Sequence, residues 1–131
     1  MVDEKALLKG KKIYIFEDDD KLALNMSRYL SVYDYDVRYS TDAVQGLKAV
    51  KEFSPDLIIT DINMPEVDGY TVFKEAQKSL GEVPVLVVTG EHKLQKLFEI
   101  EGVTAFIKKP FEMSVLETTV KEALLKHSPG K

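Results

Sequence analysis

Residues 13–20 read Ile-Tyr-Ile-Phe-Glu-Asp-Asp-Asp, four apolar residues followed directly by four acids. An apolar run this short and this rich in isoleucine and aromatic residues predicts a strand rather than a helix. Four more apolar runs are similarly short, at residues 37–39, 57–60, 83–88 and 105–107. Three of the five lack alternation, which predicts burial on both faces, as in a parallel sheet.

The segments between these runs have helical spacing. Apolar residues recur there every three or four positions, in stripes that begin at Leu22, Ala43, Val72, Leu94 and Met113. Capping residues precede three of the stripes: Asp19 or Asp20, Thr41 or Asp42, and Asp68. A strand and a helix therefore alternate five times, which predicts an α/β fold with a parallel sheet and helices on both faces.

Length and composition suit one soluble globular domain. The chain has 131 residues, of which 44% are apolar and 31% charged. We expect a single domain over residues 1–131, with a core at about 11–127, a charged lead-in at 1–10 and a short tail at 128–131. The formal charge is 18 − 22 = −4, which argues against direct nucleic-acid binding.

Cysteine content and hydropathy indicate a cytoplasmic protein. The absence of cysteine excludes disulfides, thiolate zinc sites and a cysteine nucleophile, and it suits a reducing compartment. The longest apolar run, Val83–Val88, is far shorter than the ~20 residues that span a bilayer, and the N-terminus does not resemble a signal peptide. We therefore expect no membrane association.

Polar residues stand at the carboxyl ends of four predicted strands. Glu17 and Asp18 follow the first strand, Asp61 ends the third, Thr89 ends the fourth and Lys109 follows the fifth. Because ligands of open α/β sheets bind beyond the carboxyl ends of the strands, these side chains are expected to form one site.

The charges at this edge predict a metal. Two carboxylates ~4 Å apart repel by about 4 kcal/mol at an effective dielectric near 20, so Glu17, Asp18 and Asp61 need a compensating cation or a raised pKa. Mg²⁺ is the cation of choice for oxygen ligands, and the absence of cysteine disfavours zinc. Carboxylates, a metal, a lysine and a hydroxyl are together the groups that phosphoryl transfer requires.

The motifs at these strand ends resemble one family over residues 11–127. They are Phe16-Glu17-Asp18-Asp19, Asp61-Ile62-Asn63-Met64-Pro65 with Asp68-Gly69, Val88-Thr89-Gly90-Glu91, and Phe106 with Lys109-Pro110-Phe111. In this order they resemble the receiver domain of bacterial two-component response regulators. The resemblance implies a flavodoxin-like (βα)5 fold, doubly wound, with strand order 2-1-3-4-5.

The resemblance also implies a role for each acid of the site. Asp61 matches the aspartate that accepts the phosphoryl group. Glu17 and Asp18 match the acidic pair that holds Mg²⁺, and the backbone carbonyl of Asn63 matches a further ligand. Asn63 and Glu91 occupy the positions that flank the acyl phosphate and influence its hydrolysis.

Other positions match the residues that respond to phosphorylation. Thr89 matches the hydroxyl that turns toward the phosphoryl group, and Lys109 matches the lysine that pairs with its oxygens. Phe106 matches the aromatic switch residue, which is more often tyrosine, and Pro110 follows a peptide bond that is cis in the family. The spacing from Thr89 to Lys109, 109 − 89 = 20, is shorter than usual and predicts a deletion in or before the fourth helix of the fold.

The resemblance implies a phosphoacceptor signalling domain that catalyses only its own phosphorylation and dephosphorylation. The expected partners are a sensor histidine kinase or histidine phosphotransfer protein, and a downstream protein or an output domain. The expected output is a switch in the surface of the fourth helix, the fifth strand and the fifth helix. Two alternatives stay open: a Mg²⁺-dependent phosphohydrolase with an aspartyl-phosphate intermediate, and an interaction module that works without phosphorylation.

Overall fold

The computed structural model describes residues 3–62, 69–90 and 103–126. Its strands are β1 (Lys12–Phe16), β2 (Asp36–Ser40), β3 (Leu57–Asp61), β4 (Val85–Thr89) and β5 (Ala105–Lys108). Its helices are α1 (Glu4–Leu8), α2 (Asp20–Ser31), α3 (Ala43–Phe53), α4 (Gly69–Leu80) and α5 (Met113–Lys126). The helix expected near Leu94, the shortened segment around it and the Asp68 cap lie outside the described residues.

All five strands are parallel and lie in the order β2-β1-β3-β4-β5, which confirms the predicted fold class and strand order. Alternate strand residues point to opposite faces of the sheet. Ile13 and Ile15 of β1 lie in a core cluster with residues of α2 and α5. Tyr14 and Phe16 lie in a second cluster with residues of α3 and α4. Helices thus cover both faces, as the uninterrupted apolar strands predicted.

Aspartate caps fix where two helices begin beside the carboxyl edge of the sheet. The Asp19 carboxylate accepts the N–H groups of Lys21 and Leu22 at the start of α2. The Asp42 carboxylate does the same for the first turn of α3. Each cap satisfies two of the N–H groups that have no partner within the helix. These two caps confirm the start signals in the sequence.

A glycine within α3 allows this helix to lie close to β1. A Cβ on Gly46 would stand 2.5 Å from a ring carbon of Phe16, which is fully buried. Glycine in a helix interior costs about 1 kcal/mol relative to alanine, but alanine here would displace the Phe16 ring. Because Glu17 directly follows Phe16, this packing lies immediately beneath the predicted site.

The segment expected only as a charged lead-in contains helix α1. Asp3 caps this helix by accepting the N–H groups of Lys5 and Ala6. Leu8 is 5% exposed and belongs to the core cluster beneath α2 and α5. An ion pair of 3.6 Å joins Glu4 to Lys121 of α5. The segment before β1 therefore packs as part of the fold.

Candidate functional site

The carboxyl edge of the sheet brings together side chains from four strand ends. Glu17 follows β1, Asp61 and Thr89 are the last residues of β3 and β4, and Lys109 follows β5. Because the strands are parallel, their ends meet at the same edge. Glu17, Asp61 and Thr89 are 1%, 6% and 6% exposed, so the site is lined by buried polar groups.

Three carboxylates converge at this edge. Glu17, Asp18 and Asp61 each place an oxygen within 4.8 Å of the others, and Asp18 is the exposed member. Like charges at such a separation repel by several kcal/mol in total at an effective dielectric near 20. An arrangement of this kind requires nearby positive charge.

Lys109 supplies part of that charge. Its Nζ donates to Asp61 Oδ2 at 2.6 Å and to Glu17 Oε1 at 3.0 Å. The Lys109 N–H donates to the Thr89 carbonyl at 2.9 Å, and the Lys109–Pro110 peptide bond is cis. Burial lowers the pKa of Lys109, but the hydrogen bonds to Asp61 and Glu17 outweigh it and the net shift is upward. The ammonium therefore stays charged at neutral pH.

The Glu17 carboxylate has a partner on each oxygen. Oε1 accepts from Lys109, and Oε2 accepts the Asp19 N–H at 3.1 Å. Burial raises the pKa of Glu17, although both hydrogen bonds oppose this rise. The Glu17 N–H donates to the Ser40 carbonyl at 3.1 Å, so the end of β2 fixes its backbone.

Ser40 belongs to this edge and was not among the predicted site residues. Its hydroxyl shares a short hydrogen bond with the Tyr14 hydroxyl, while its carbonyl accepts from Glu17. Ser40 is the last residue of β2, so the rule that identified the other four strand ends would also have found it. It acts through the backbone of Glu17.

The ligand atoms present fit a hard divalent cation. Three acids and one lysine have a formal charge of 1 − 3 = −2, the charge that a divalent cation neutralises. All the donor atoms are oxygens, as Mg²⁺ prefers. No hydrogen bond or ion pair engages the Asp18 carboxylate within residues 3–62, 69–90 and 103–126, so its oxygens are available to an ion. Asn63, the further ligand implied by the resemblance, lies outside the described residues.

The two predicted switch residues lie on neighbouring strands. Thr89 is buried at the end of β4, and Phe106 is half-buried on β5, where it packs against the cluster beneath α3 and α4. Val87 pairs with Phe106, and Thr89 pairs with Lys108. Glu91, predicted to modulate hydrolysis, lies outside the described residues.

Comparison with known proteins identifies the family. The model of the response regulator receiver domain matches residues 13–121, and the chain belongs to this family. It is a phosphoacceptor signalling domain of the two-component type, and neither the phosphohydrolase nor the interaction-module alternative is favoured. Within the part of the chain that the structure describes, no helix is long and apolar enough to cross a membrane.

Curated relatives share the domain within longer proteins. The chain is 30% identical over 122 residues to the transcriptional regulatory protein RprY of Bacteroides fragilis, a match that covers 92% of this chain and 51% of that one. It is 30% identical over 118 residues to the sensor kinase CckA of Brucella abortus, covering 87% of this chain and 12% of the kinase. The chain thus spans about half the length of the regulator and a small part of the kinase.

Solved receiver domains share the fold over almost their whole length. A CheY-like receiver domain protein from Methanospirillum hungatei superposes with a TM-score of 0.85 at 26% identity, covering 91% of this chain and 97% of that one. A receiver domain protein from Clostridium thermocellum gives a TM-score of 0.82 at 25% identity, covering 88% and 95%.

Proposed function

We propose that this receiver domain accepts a phosphoryl group from a phosphohistidine donor onto Asp61. The observation that carries the proposal is the position of Asp61, a buried carboxylate at 2.6 Å from the Lys109 ammonium and within 4.8 Å of two further acids. A carboxylate held beside a cation and a set of metal ligands is arranged for phosphoryl transfer rather than for stability alone.

Each side chain contributes a separate step. An Asp61 oxygen attacks phosphorus in line, the bond from phosphorus to the donor imidazole nitrogen breaks, and the imidazole leaves with its electron pair. The Lys109 ammonium, now paired with Asp61 and Glu17, turns toward the phosphoryl oxygens. The Thr89 hydroxyl donates to the same group. Mg²⁺, when bound, supplies positive charge to the oxygens of the transferring phosphoryl group.

We assign the magnesium ligands to Glu17, Asp18, Asp61 and the Asn63 carbonyl. Asp18 is the strongest donor, because both oxygens of Glu17 already accept hydrogen bonds and Asp61 pairs with Lys109. Glu17 then also serves to hold Lys109 in place. Asn63 and Glu91 are assigned the role of modulating hydrolysis of the acyl phosphate, as their positions in the family imply.

The phosphorylated state is proposed to act through Phe106 and its surroundings. Phe106 is half-buried on β5 and packs against the cluster beneath α3 and α4, and its ring is proposed to turn further inward when Thr89 moves. The surface that changes comprises the helix expected within residues 91–102, β5 and α5. A two-state surface requires only a few kcal/mol of preference to switch.

A histidine kinase or histidine phosphotransfer protein is the proposed donor, and a protein partner or an output domain is the proposed target. Among the relatives are a sensor kinase and transcriptional regulators, so domains of this kind occur in both classes. The acidic net charge supports a protein target rather than direct nucleic-acid binding by this domain in the cytoplasm.

The test is incubation with acetyl phosphate and Mg²⁺ followed by intact mass measurement. One added phosphate is expected in wild type and in the control Asp36→Asn, which removes an exposed acid at the start of β2. No addition is expected in Asp61→Asn or in the presence of EDTA. Unchanged labelling of Asp61→Asn, or no labelling of wild type, would overturn the proposal.

A further inference from the structure

A cavity lies away from the carboxyl edge of the sheet. It has a volume of about 840 Å³ and is formed by α1, α5 and the turn between α2 and β2. Small-molecule sites in proteins typically occupy roughly 300–1,000 Å³, so this cavity is large enough for an organic ligand. Leu8 and Tyr35 form part of its wall. Leu8 lies shortly before the start of β1, and Tyr35 lies directly before the start of β2, so the cavity is at the end of the sheet opposite Asp61.

The wall combines an apolar surface with aromatic rings. Leu8 and Tyr35 are 5% and 7% exposed, so their positions are fixed by the core. Tyr33, 40% exposed, adds a second ring, which packs at 5.7 Å from the ring of Tyr29. The Gly10 N–H donates to the Asp34 carbonyl at 2.8 Å, which ties the turn that carries the tyrosines to the segment after α1.

Glu117 gives this cavity its charge. It is half-buried on α5 and faces the rings of Tyr33 and Tyr35 across the cavity. No hydrogen bond or ion pair engages its carboxylate in the described part of the chain. On the α1 side of the cavity, Glu4 pairs with Lys121 at 3.6 Å, and both side chains are exposed. Burial and the nearby Glu117 raise the pKa of Tyr35 to about 12, which keeps its ring neutral beside the acid.

We propose that this cavity binds an organic amine, with the ammonium on the Glu117 carboxylate and an apolar body against Leu8, Tyr33 and Tyr35. Aromatic faces attract cations through their quadrupole, and a half-buried carboxylate without a partner gains a charge-assisted hydrogen bond. Counting the charged residues of the wall, two lysines and three acids give 2 − 3 = −1, which favours a cation.

Part of the cavity wall lies outside the residues that the receiver family model matches. Asp3, Glu4, Lys5 and Leu8 line the cavity, and all four precede residue 13, where the match to the receiver family begins. The proposal is independent of phosphorylation on Asp61, because it uses none of the residues at the carboxyl edge. The bound amine would bridge α1 and α5, and α5 forms part of the surface proposed to switch.

Phenethylamine is the probe, and 2-phenylethanol is its neutral counterpart of nearly the same shape. We expect phenethylamine to shift backbone amide resonances around Leu8, Tyr35 and Glu117 in a saturable way, with a dissociation constant on the order of 1 mM for so small a ligand. The alcohol should bind at least about fivefold more weakly, because it lacks the charge that meets Glu117.

Two variants locate the charge. Glu117→Gln should weaken phenethylamine binding roughly tenfold, while Glu122→Gln, an exposed acid on the same helix, should leave it unchanged. Equal affinity for the amine and the alcohol in wild type would overturn the proposal without any variant. So would an absence of saturable shifts, shifts confined to residues outside the cavity, or unchanged binding by a folded Glu117→Gln.

Discussion

Glu17 is buried and Glu117 is half-buried, but the two glutamates have different surroundings. Glu17, at the carboxyl edge, accepts from the Lys109 ammonium and from the Asp19 N–H. Glu117, beside the cavity at the other end, has no such partner in the portion of the structure described. Hydrogen bonds within the protein therefore position Glu17, whereas the Glu117 carboxylate is available to a ligand.

The difference shows that a group-transfer site and a proposed binding site can lie at opposite ends of the same sheet. At the carboxyl edge, burial of charge is partly compensated by Lys109, so that Asp61 and Lys109 are held in place before any donor arrives. Preorganised charge of this kind is what lowers the barrier to group transfer. At the other end, the proposed amine ligand compensates the charge of Glu117, which suits binding rather than reaction.

Removing the internal cation should have the largest effect. We expect Lys109→Ala to slow phosphorylation of Asp61 by about 100-fold or more, because no ammonium then meets the phosphoryl oxygens. Lys108→Ala, an exposed neighbour on β5, is the matched control and should react at the wild-type rate. The measurement is the rate of phosphate incorporation by intact mass; a rate within threefold of wild type for Lys109→Ala would show that the carboxyl edge does not depend on its own cation.

Truncating Leu8 tests whether α1 belongs to the fold at the other end. Leu8→Ala should lower the free energy of unfolding by about 2–3 kcal/mol, because it leaves a cavity in the core cluster. Leu7→Ala, on the same helix but only half-buried, should cost less than half as much. Urea unfolding gives both values. Equal losses would mean that α1 does not anchor the cavity wall.

Replacing Asp18, the exposed acid of the carboxyl edge, should have a smaller effect, which lowers Mg²⁺ affinity without lowering stability. Asp18→Asn should weaken Mg²⁺ binding about tenfold, which corresponds to about 1.4 kcal/mol. It should also leave the metal-free protein as stable as wild type or slightly more so, since it removes a repelling charge.

Asp20→Asn is the control for this prediction, because Asp20 is an exposed acid in the first turn of α2. We expect it to keep Mg²⁺ affinity and to lose about 0.5 kcal/mol of stability through the helix dipole. Calorimetric Mg²⁺ titration and thermal unfolding measure the two quantities. Loss of Mg²⁺ affinity in both variants would indicate a general charge effect in place of direct ligation.

The two ends also differ in how far they could be predicted from sequence. Asp61 and Lys109 were predictable because each stands at the carboxyl end of a short apolar run, and parallel strands bring such ends together. The sharing of Lys109 between two acids depends on side-chain conformation, which no local pattern encodes. The cavity was not predicted, because Leu8, Tyr35 and Glu117 come from three distant segments and meet only in the folded chain.

Helix α1 escaped prediction for a related reason. Its five residues are too few to show a repeating apolar stripe, and a single buried side chain, Leu8, attaches them to the core. Ser40 shows the opposite case, since its place next to a predicted strand was visible, but it is its carbonyl rather than its side chain that contacts Glu17. Because every residue has a backbone carbonyl, residue type does not reveal which carbonyls take part in a site. Sequence patterns therefore identify functional side chains far better than functional backbone groups.

Alkaline pH should affect the cavity end through Tyr35, and this is the smallest effect we expect. Burial, followed by the nearby Glu117, raises the pKa of Tyr35 from 10.0 to about 12 in the folded state. The stabilisation linked to its neutral form is therefore complete below pH 10.0 and is lost as pH rises toward 12.

Relative to Tyr35→Phe, the free energy of unfolding of wild type should fall by about 1 kcal/mol between pH 9 and 11. Tyr39→Phe, which removes a hydroxyl on β2 that does not line the cavity, should follow wild type. Urea unfolding across this range measures the difference, and parallel curves for wild type and Tyr35→Phe would mean that Tyr35 ionises as easily in the folded protein as in the unfolded chain.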